Sequence, residues 1–582
     1  MKKIEFRGVK EIKRSLNYIR VPKIKMFIIL ILKISEIVIS IIQPILWGYM
    51  LQSVLKLNVN EFVRDILLLL FLYIIESIVI YFETYIGTAV NEKIVCKTKR
   101  DLFDKIMNYP MLFIDKMGCG ELLSHLEGDV ATIIDVFTGQ LVNVVMSVLK
   151  AVIISVVAFS ISWPLAILTV MSFPISYFVI DKFGNILQKD QVKLRDAMDI
   201  YYNKTQEFFL GISCIKVFGA KKIASQKFTS LVNNNKNIGI HMGKMTAISS
   251  GIVGILNFST QIAVYGLGMF LLIKKRLIFP HFVAFSAYTA SLTEALLDIT
   301  QINPKLKQAI VSVKRINELF FSIDNSQEEW GHSRIPEFID EIGFKKVNFS
   351  YGNKEILKNI TLKFEQGKKY AIVGSSGAGK STLLKLLVKL YEVETGKITI
   401  NEININNFIE GDFRKVIGIV QQEPILFGMS IYENIKLGNA LASVNDVYNA
   451  AKKANIFGDI SHLQNGFHTV INSKGDNLSL GQKQRIALAR TLLQDPKIIL
   501  FDEVTSALDN KSQMMINKAI NSLKGTHTLI LISHKIANVI DADQIIVMED
   551  GKVVDVGTHF ELLEKCLVYK QLFDIEKNIS HV

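Results

Sequence analysis

Gly374-Ser375-Ser376-Gly377-Ala378-Gly379-Lys380-Ser381-Thr382 is the stretch that decides the fold of the C-terminal half. The apolar run 369–373 before it and the apolar-faced pattern from Thr382 onward predict a buried strand, a glycine-rich turn and a helix. Such glycines let backbone N–H groups surround phosphate oxygens, and the helix N-terminus adds positive partial charge. Lys380 is expected to reach the β- and γ-phosphates and Ser381 to bind Mg²⁺, so all nine residues are predicted to bind a nucleotide.

The composition indicates a membrane protein. The chain has 582 residues, of which 49% are hydrophobic, and its formal net charge is +13. Lysine and arginine crowd the first 25 residues and the segments 92–136 and 184–244, all of which flank long apolar stretches, as cytoplasmic loops do. We find no basic and aromatic nucleic-acid motif, so nucleic acid is not an expected partner.

Six apolar segments are long enough to cross a bilayer, which requires about 20 residues. They lie at about 26–52, 64–89, 137–161, 163–183, 246–273 and 280–303. Ser162-Trp163-Pro164 separates the third from the fourth, because proline cannot continue the first helix. With both ends inside, the segments 92–136 and 184–244 are predicted to be cytoplasmic helical extensions.

The remaining boundaries follow from changes in composition. Residues 1–22 alternate apolar and basic positions at helical spacing, which predicts an amphipathic helix on the membrane surface; a disordered basic tail is the alternative. The predicted transmembrane domain covers 23–320, a polar linker 321–338, and an α/β domain 339–582. The four cysteines have no metal or disulfide spacing, so reduced thiols are expected.

Charged residues inside the predicted spans suggest a cavity, since charge in hydrocarbon is costly. They are Lys33, Glu36, Glu76, Glu83, Lys150, Asp181, Glu294 and Asp298. Glu294 and Asp298 are four residues apart and share one helix face. Our hypothesis is that this pair lines a translocation cavity and favours cationic substrates; simple hydration near the membrane surface is the alternative.

Further motifs follow the phosphate loop in a fixed order. The strand-like run 417–421 leads to Gln422, and Leu478-Ser479-Leu480-Gly481-Gln482 precedes a helical pattern. The apolar run 496–501 ends in Asp502 and Glu503, and Thr528–Ser533 leads to His534. Together these motifs closely resemble the nucleotide-binding domain of ABC transporters. With the six spans, the whole chain resembles a half-size exporter of the type IV fold.

This resemblance implies roles for individual residues. Tyr351 would stack on adenine, although a core aromatic residue is the alternative. Asp502 would hold Mg²⁺, and Glu503 would polarise the attacking water. Gln422 would bind Mg²⁺ or that water, and His534 would contact the γ-phosphate. The implied catalytic residues are therefore Glu503, His534 and Gln422, and the implied metal ligands are Ser381, Gln422 and Asp502.

The remaining implied contacts concern a second subunit. In the family, Ser479, Gly481 and Gln482 complete the phosphate site of another domain, so a dimer is expected. Leu480 stands where the family usually has glycine, and His125 where it usually has arginine. Because Ser479 and Gly481 are retained, activity is expected to persist.

The resemblance implies an ATP hydrolase with Mg²⁺, in a bacterial inner membrane with its ATPase domain cytoplasmic. It would export an amphiphilic drug, lipid or peptide by alternating access of a homodimer, or of a heterodimer with a related chain. A siderophore-type importer on the same fold and a nucleotide-gated sensor or regulator are the alternatives.

Overall fold

The computed structural model describes residues 22–321, 328–352, 354–472, 477–504, 508–533, 535 and 538–580. The predicted amphipathic helix, apart from Pro22, and residues 322–327 of the predicted linker lie outside this part of the chain. The chain divides into two compact units. One comprises Met1–Met107 and Met117–Asn325, and the other Asn108–Lys116 and Ser326–Val582.

Long helices build the first unit. In chain order the helices up to residue 321 are α1 (Lys23–Leu55), α2 (Val59–Met107), α3 (Met111–Met117), α4 (Cys119–Ser124), α5 (Val130–Asp135), α6 (Leu141–Ile161), α7 (Trp163–Leu210), α8 (Ile212–Val217), α9 (Lys221–Ile273) and α10 (Phe279–Phe321). Two π-helical turns, His125–Asp129 and Val136–Gln140, join α4, α5 and α6 into one rod, Cys119–Ile161. Helix α6 ends at Ile161 and α7 begins at Trp163, with Pro164 in its first turn. Proline has no N–H group, and N–H groups in the first turn of a helix have no partner within the helix, so no hydrogen bond is lost.

Among the described residues, five helices are long and apolar enough to cross a membrane. They are α1, α2, the rod Cys119–Ile161, α7 and α9. Many of their large apolar side chains are exposed, including Ile31, Phe71, Val156 and Ile255, as is expected of a lipid-facing surface. The predicted sixth span, 280–303, falls on α10, outside that set of five, and stays a prediction.

The second unit contains two sheets. Its strands are β1 (Glu341–Tyr351), β2 (Lys354–Glu365), β3 (Lys369–Gly374), β4 (Thr395–Ile400), β5 (Ile403–Asn404), β6 (Ile417–Val420), β7 (Ile498–Asp502), β8 (Thr528–Ile532), β9 (Gln544–Glu549) and β10 (Lys552–Gly557). The antiparallel sheet has the order β2-β1-β4-β5, and the larger sheet has the order β10-β9-β3-β8-β7-β6.

Helices cover these sheets. They are α11 (Lys380–Leu387), α12 (Glu410–Val416), α13 (Ile431–Lys436), α14 (Val444–Lys453), α15 (Phe457–Ser461), α16 (Leu480–Gln494), α17 (Asn510–Asn521), α18 (His559–Lys565) and α19 (Leu567–Ser580). One apolar cluster includes Ile372, Leu383 and Ile530, and another includes Ile486, Phe501 and Leu531. Successive residues of β8 belong to different clusters because side chains alternate between the faces of a sheet.

Parallel pairing in the larger sheet determines where the site lies. Strand β3 pairs in parallel with β8 and β9, and β7 pairs in parallel with β6 and β8. The carboxyl ends of these strands therefore lie at one edge of the sheet. Gly374 ends β3, Asp502 ends β7, and Val420 ends β6 two residues before Gln422. Such an edge is where ligands bind in open α/β sheets.

The second unit also includes a segment from the first third of the sequence, Asn108–Lys116. Met111 packs against the apolar cluster that contains Leu383, and Tyr109 is buried. The Tyr391 hydroxyl donates a hydrogen bond of 2.6 Å to Asp115 Oδ2. Burial and this hydrogen bond raise the pKa of Tyr391, so its hydroxyl remains a donor at physiological pH.

Candidate nucleotide-binding site

The loop between β3 and α11 has the backbone that its glycines predict. Gly377 and Gly379 adopt positive φ angles of 84° and 94°, a region that other residues rarely occupy. A Cβ atom at Gly374 would lie 2.1 Å from the carbonyl oxygen of Met548 on the neighbouring strand β9. Ser375 and Ser376 are exposed, whereas Ala378 and Thr382 are buried and anchor the loop to the core. The loop therefore presents its backbone, not bulky side chains, at the sheet edge.

Lys380 begins α11 and is buried. Its Nζ donates hydrogen bonds to the carbonyl oxygens of Gly374 at 3.0 Å and Ser375 at 2.8 Å. Burial lowers the pKa of Lys380, while the nearby carboxylates of Glu503 and Asp502 act in the opposite direction. The cation is thus held on the loop itself, at the N-terminus of a helix that favours anions.

The next residue of α11 connects the loop to β7. Ser381 Oγ donates a hydrogen bond of 2.9 Å to Asp502 Oδ1. Burial raises the pKa of Asp502, and the hydrogen bond from Ser381 opposes that effect. A hydroxyl and a carboxylate oxygen are ligands that Mg²⁺ prefers, and the structure brings these two predicted ligands together.

Glu503 follows Asp502 and has an uncommon backbone conformation. Its φ angle is 50°, in the left-handed region, and its N–H donates to the carbonyl oxygen of Ile532 at 3.2 Å. Gln422 Nε2 donates to Glu503 Oε2 at 3.3 Å. Strained backbone of this kind costs about 1–3 kcal/mol and persists where the surroundings impose it, often at functional sites. The third predicted metal ligand, Gln422, thus contacts the predicted catalytic carboxylate.

Ser479, Gly481 and Gln482, which are expected to complete the phosphate site of a second subunit, lie at the N-terminus of α16. Ser479 caps α16: its Oγ accepts from the N–H of Gln482 at 3.2 Å, and its N–H donates to Gln482 Oε1 at 2.9 Å. Gly481 is buried, and a Cβ atom there would lie 2.6 Å from Ser512 Oγ. Among the described residues, no hydrogen bond joins Ser479, Gly481 or Gln482 to the phosphate loop. Ser479 is exposed at the start of α16.

Tyr351 lies at the end of β1 in a cluster of aromatic rings. Its ring centroid is 4.8 Å from that of Phe349 and 5.2 Å from that of Tyr391, both in edge-on arrangements. The side chain is half-buried. Its contact with adenine stays a prediction, because these contacts are also those of a core residue.

Two predicted features fall partly or wholly outside the described residues. His534 lies outside them, although β8 ends only two residues earlier, at Ile532. The second feature is the stretch 506–509, which resembles the D-loop of ABC transporters, and its residues 506–507 are also outside. Asp509, which follows them, caps α17 by accepting from the N–H of Ser512 at 3.2 Å.

Sequence analysis missed a buried pair that supports the loop after Gln422. Asn434 is completely buried and accepts at Oδ1 from the N–H of Phe427 at 2.9 Å and from Arg490 Nη2 at 3.0 Å. Its Nδ2 donates to the carbonyl oxygen of Phe427 at 3.0 Å. Arg490, on α16, also donates to the carbonyl oxygen of Ile425 at 3.0 Å. The only local signal was an asparagine among the apolar positions of a short capped helix.

These features define a P-loop nucleotide-binding domain fused to a bundle of membrane helices. Residues 26–296 match the family described as the ABC transporter transmembrane region, and residues 357–506 match the family described as ABC transporter. The chain belongs to the ABC transporter family, with both regions in one polypeptide, and is a multi-pass membrane protein.

Curated relatives and a solved structure agree with this assignment. The chain is 31% identical over 535 residues to ABC transporter B family member 1 of Dictyostelium discoideum, covering 90% of this chain and 58% of that protein. It is 29% identical over 510 residues to the ATP-dependent lipid A-core flippase of Salmonella paratyphi A, covering 87% of each. A bacterial Atm1-family ABC exporter with ATP bound has the same fold, with a TM-score of 0.78, 22% identity and coverage of 94% and 97%.

The relatives differ in length. The chain spans 58% of the Dictyostelium protein and 28% of a second relative from that organism, the serine protease/ABC transporter B family protein tagA. The expected fold class, a helical membrane domain followed by an ABC-type ATPase domain, is confirmed by these matches.

Proposed function

We propose that this chain is one half of an ATP-driven exporter that moves an amphiphilic substrate across the membrane. The proposal is carried by the convergence of Lys380, the Ser381–Asp502 pair and the Gln422–Glu503 pair at one sheet edge. The name of the lipid A-core flippase relative supports export and a lipid-like substrate. The relatives described above do not favour the importer or the sensor alternative.

The residues of the site fit a nucleoside triphosphate with magnesium. The positive φ angles of Gly377 and Gly379 and the start of α11 suit an anion cradle, and Ser381 with Asp502 offers two oxygen ligands. When bound, ATP and Mg²⁺ supply the phosphoanhydride bond to be cleaved and a Lewis acid on its phosphate oxygens.

The chain's own residues then have distinct tasks. Lys380 neutralises charge on the β- and γ-phosphates, while Ser381, Asp502 and Gln422 hold the metal. Glu503 accepts a proton from the attacking water, and its hydrogen bond from Gln422 orients the carboxylate. His534 is proposed to contact the γ-phosphate.

A dimer completes the site. The exposed N-terminus of α16, with Ser479, Gly481 and Gln482, is proposed to bind the phosphates held by a second chain. The single copy of each motif supports a homodimer with two equivalent sites, and a related chain could replace the second copy. A bacterial plasma membrane, with the ATPase domain on the cytoplasmic side, is the proposed location.

The proposal is tested by ATP hydrolysis of the full chain in lipid nanodiscs, with the stoichiometry measured by mass photometry. Glu503→Gln is expected to lower kcat at least 10²-fold, because general base catalysis contributes about 10²–10⁴-fold. Glu549→Gln, an exposed carboxylate at the end of β9, is the matched control. Hydrolysis that is unaffected by Glu503→Gln would overturn the assigned role, and a monomer that hydrolyses ATP at full rate would overturn the dimer.

A further inference from the structure

A polar cavity of about 260 Å³ lies among the membrane helices of the first unit. Four elements supply its charged residues: α1, α2, α6 and α10. The charged residues that line it are Lys33, Glu36, Glu83, Lys150, Glu294 and Asp298, and the polar ones include Ser40, Gln140, Asn143 and Ser147. On α1 and α6 the lining positions recur every three or four residues, so each helix turns one polar face toward the cavity.

The charges in this cavity are only partly paired. Lys33 Nζ lies 2.5 Å from Glu83 Oε1, and Lys150 Nζ lies 3.5 Å from Glu294 Oε2. These pairs use both lysines of the lining. Two carboxylates, Glu36 and Asp298, are therefore left in excess.

Neither excess carboxylate has an ion pair with a lysine or arginine within the part of the chain that the structure describes. Asp298 Oδ2 accepts a hydrogen bond of 2.8 Å from Ser147 Oγ, which leaves its charge in place. Glu36 interacts electrostatically with both carboxylates and lysines, including Glu83 and Lys150. Because charge within a membrane is costly, the excess negative charge favours a cationic occupant.

A second cavity, with aromatic residues among its walls, is also lined by α1. Ser40 lines the polar cavity, and Gln43, Pro44 and Trp47 line a cavity of about 800 Å³. Its other walls include Tyr73, Tyr265, Met269 and Phe282. Because α1 lines both cavities, an occupant of both would have a charged end and an aromatic or apolar end.

The geometry points to a site for amphiphilic amines, in which Glu36 and Asp298 bind the ammonium group and the cavity around Trp47 holds the apolar part. Lys33 and Lys150 limit the negative charge of the site by neutralising Glu83 and Glu294. Aromatic walls suit such ligands because they bind apolar groups and also attract cations. This inference rests on the proposed function, since it names the substrate class that the exporter would carry.

The test compares three probes of nearly equal shape: 4-phenylbutylammonium, 4-phenylbutanol and 4-phenylbutyrate. Binding of tritium-labelled probe is measured by equilibrium dialysis against the full chain in phosphatidylcholine nanodiscs, with protein-free nanodiscs subtracted. The ammonium probe is expected to bind at least tenfold more tightly than the alcohol, and the carboxylate more weakly than either. Equal binding of the three would overturn the inference.

Substitutions of the assigned residues are expected to change the Kd of the ammonium probe in opposite directions. Glu36→Gln with Asp298→Asn is expected to raise the Kd of the ammonium probe at least tenfold and to leave that of the alcohol unchanged. Lys150→Met is expected to lower the Kd of the ammonium probe severalfold, because it frees Glu294, whose side chain is 71% exposed. Asp181→Asn, a carboxylate on α7 outside the cavity lining, is the matched control. An unchanged Kd in the double variant, or weaker binding in Lys150→Met, would overturn the inference.

Two further arms separate the possible explanations. Binding is measured without nucleotide. A chain that binds the amine but does not hydrolyse ATP would therefore refute the proposed function and support amine recognition. A chain that hydrolyses ATP but does not bind the amine would refute only this inference. Adding phosphatidylethanolamine to the nanodiscs distinguishes the source of the amine: competition with the probe identifies a lipid headgroup, and unchanged binding identifies a free amphiphile. Either result supports amine recognition.

Discussion

Tyr391 and Asp115, 276 residues apart in sequence, are joined by a hydrogen bond of 2.6 Å. Asp115 belongs to the segment Asn108–Lys116, which directly follows the long helix α2 in the chain but is part of the same compact unit as the nucleotide site. The Tyr391 ring also contacts the ring of Tyr351, the residue that is predicted to stack on adenine. Within the second unit, a chain of contacts therefore leads from Asp115 through Tyr391 to Tyr351.

Replacing Asp115 by alanine is expected to loosen the segment 108–116. The buried Tyr391 hydroxyl would lose this acceptor, at a cost of about 1–3 kcal/mol. Hydrogen exchange of residues 109–116 should rise, and coupling of substrate binding to hydrolysis should weaken. Asp115→Asn retains an acceptor oxygen and should cause a smaller change. Equal exchange rates in the two variants and the wild-type chain would contradict this role.

Removing the Ser381 hydroxyl is expected to increase the magnesium requirement. Ser381→Ala deletes one of the two predicted oxygen ligands that lie together at the sheet edge. The Mg²⁺ concentration for half-maximal hydrolysis should rise about tenfold or more, by analogy with other losses in metal sites. Ser381→Thr keeps the hydroxyl and should restore most of the wild-type dependence. The same magnesium midpoint in Ser381→Ala as in the wild-type chain would exclude a ligand role.

Asn434→Ala is expected to disorder the loop that follows Gln422. The substitution removes the hydrogen bonds that the completely buried Asn434 side chain makes with the Phe427 backbone and with Arg490, which should lower the free energy of unfolding by about 2–4 kcal/mol. Because Gln422 contacts Glu503, kcat should fall while nucleotide affinity changes little. Hydrogen exchange of residues 422–430 and the kcat of hydrolysis are the measurements.

The exposed residue Asn439 provides the control for that substitution. Asn439→Ala removes only one local hydrogen bond, to the N–H of Leu441. It should leave both exchange and kcat close to the wild-type values. A fall in nucleotide affinity as large as the fall in kcat in Asn434→Ala would instead indicate general unfolding of the domain.

Stability should depend on pH through Asp543. Partial burial raises the pKa of Asp543, but hydrogen bonds from the Lys369 N–H at 2.8 Å and from Lys524 outweigh it and hold the pKa below its usual value. The folded state therefore binds fewer protons than the unfolded chain, whose aspartate pKa is about 3.9. The stabilisation is present above that value and is lost as pH falls through the lower folded-state pKa.

This linkage predicts a difference between the wild-type chain and Asp543→Asn. Between about pH 5 and pH 3, the wild-type chain should lose more stability than the variant, because the asparagine does not titrate. The unfolding temperature of the full chain in detergent, measured across this range, provides the comparison. Identical pH dependence in the two proteins would contradict the assignment.

Sequence reasoning was strongest where chemistry depends on local spacing. The glycines and Lys380 of the phosphate loop follow one strand and begin one helix, so their arrangement could be read from nine residues. The resemblance to ABC transporters implied that Ser381 and Asp502 would bind one metal ion, and the structure joins the two side chains by a hydrogen bond. The fold class was correct because it rested on the same ordered motifs together with the long apolar segments.

Contacts that depend on long-range register could not be read in this way. Nothing near Asn434 in the sequence indicates Arg490, 56 residues later, as its partner. The charges within the spans were identified singly, but their pairing depends on how four helices face one another, which periodicity does not determine. The structure pairs Glu83 with Lys33 on another helix, a partner that spacing along α2 does not indicate.

The pairing of Lys33 with Glu83 has a consequence for how the polypeptide enters the membrane. A charged side chain within a spanning helix is costly to insert, so Lys33 and Glu36 weaken the otherwise apolar α1 as an insertion signal. Helix α2 supplies Glu83 to Lys33 and Glu76 to Gln43, the latter at 2.7 Å. Only three residues, 56–58, separate the two helices. The translocon would therefore release α1 and α2 into the lipid together, as a preassembled helical hairpin.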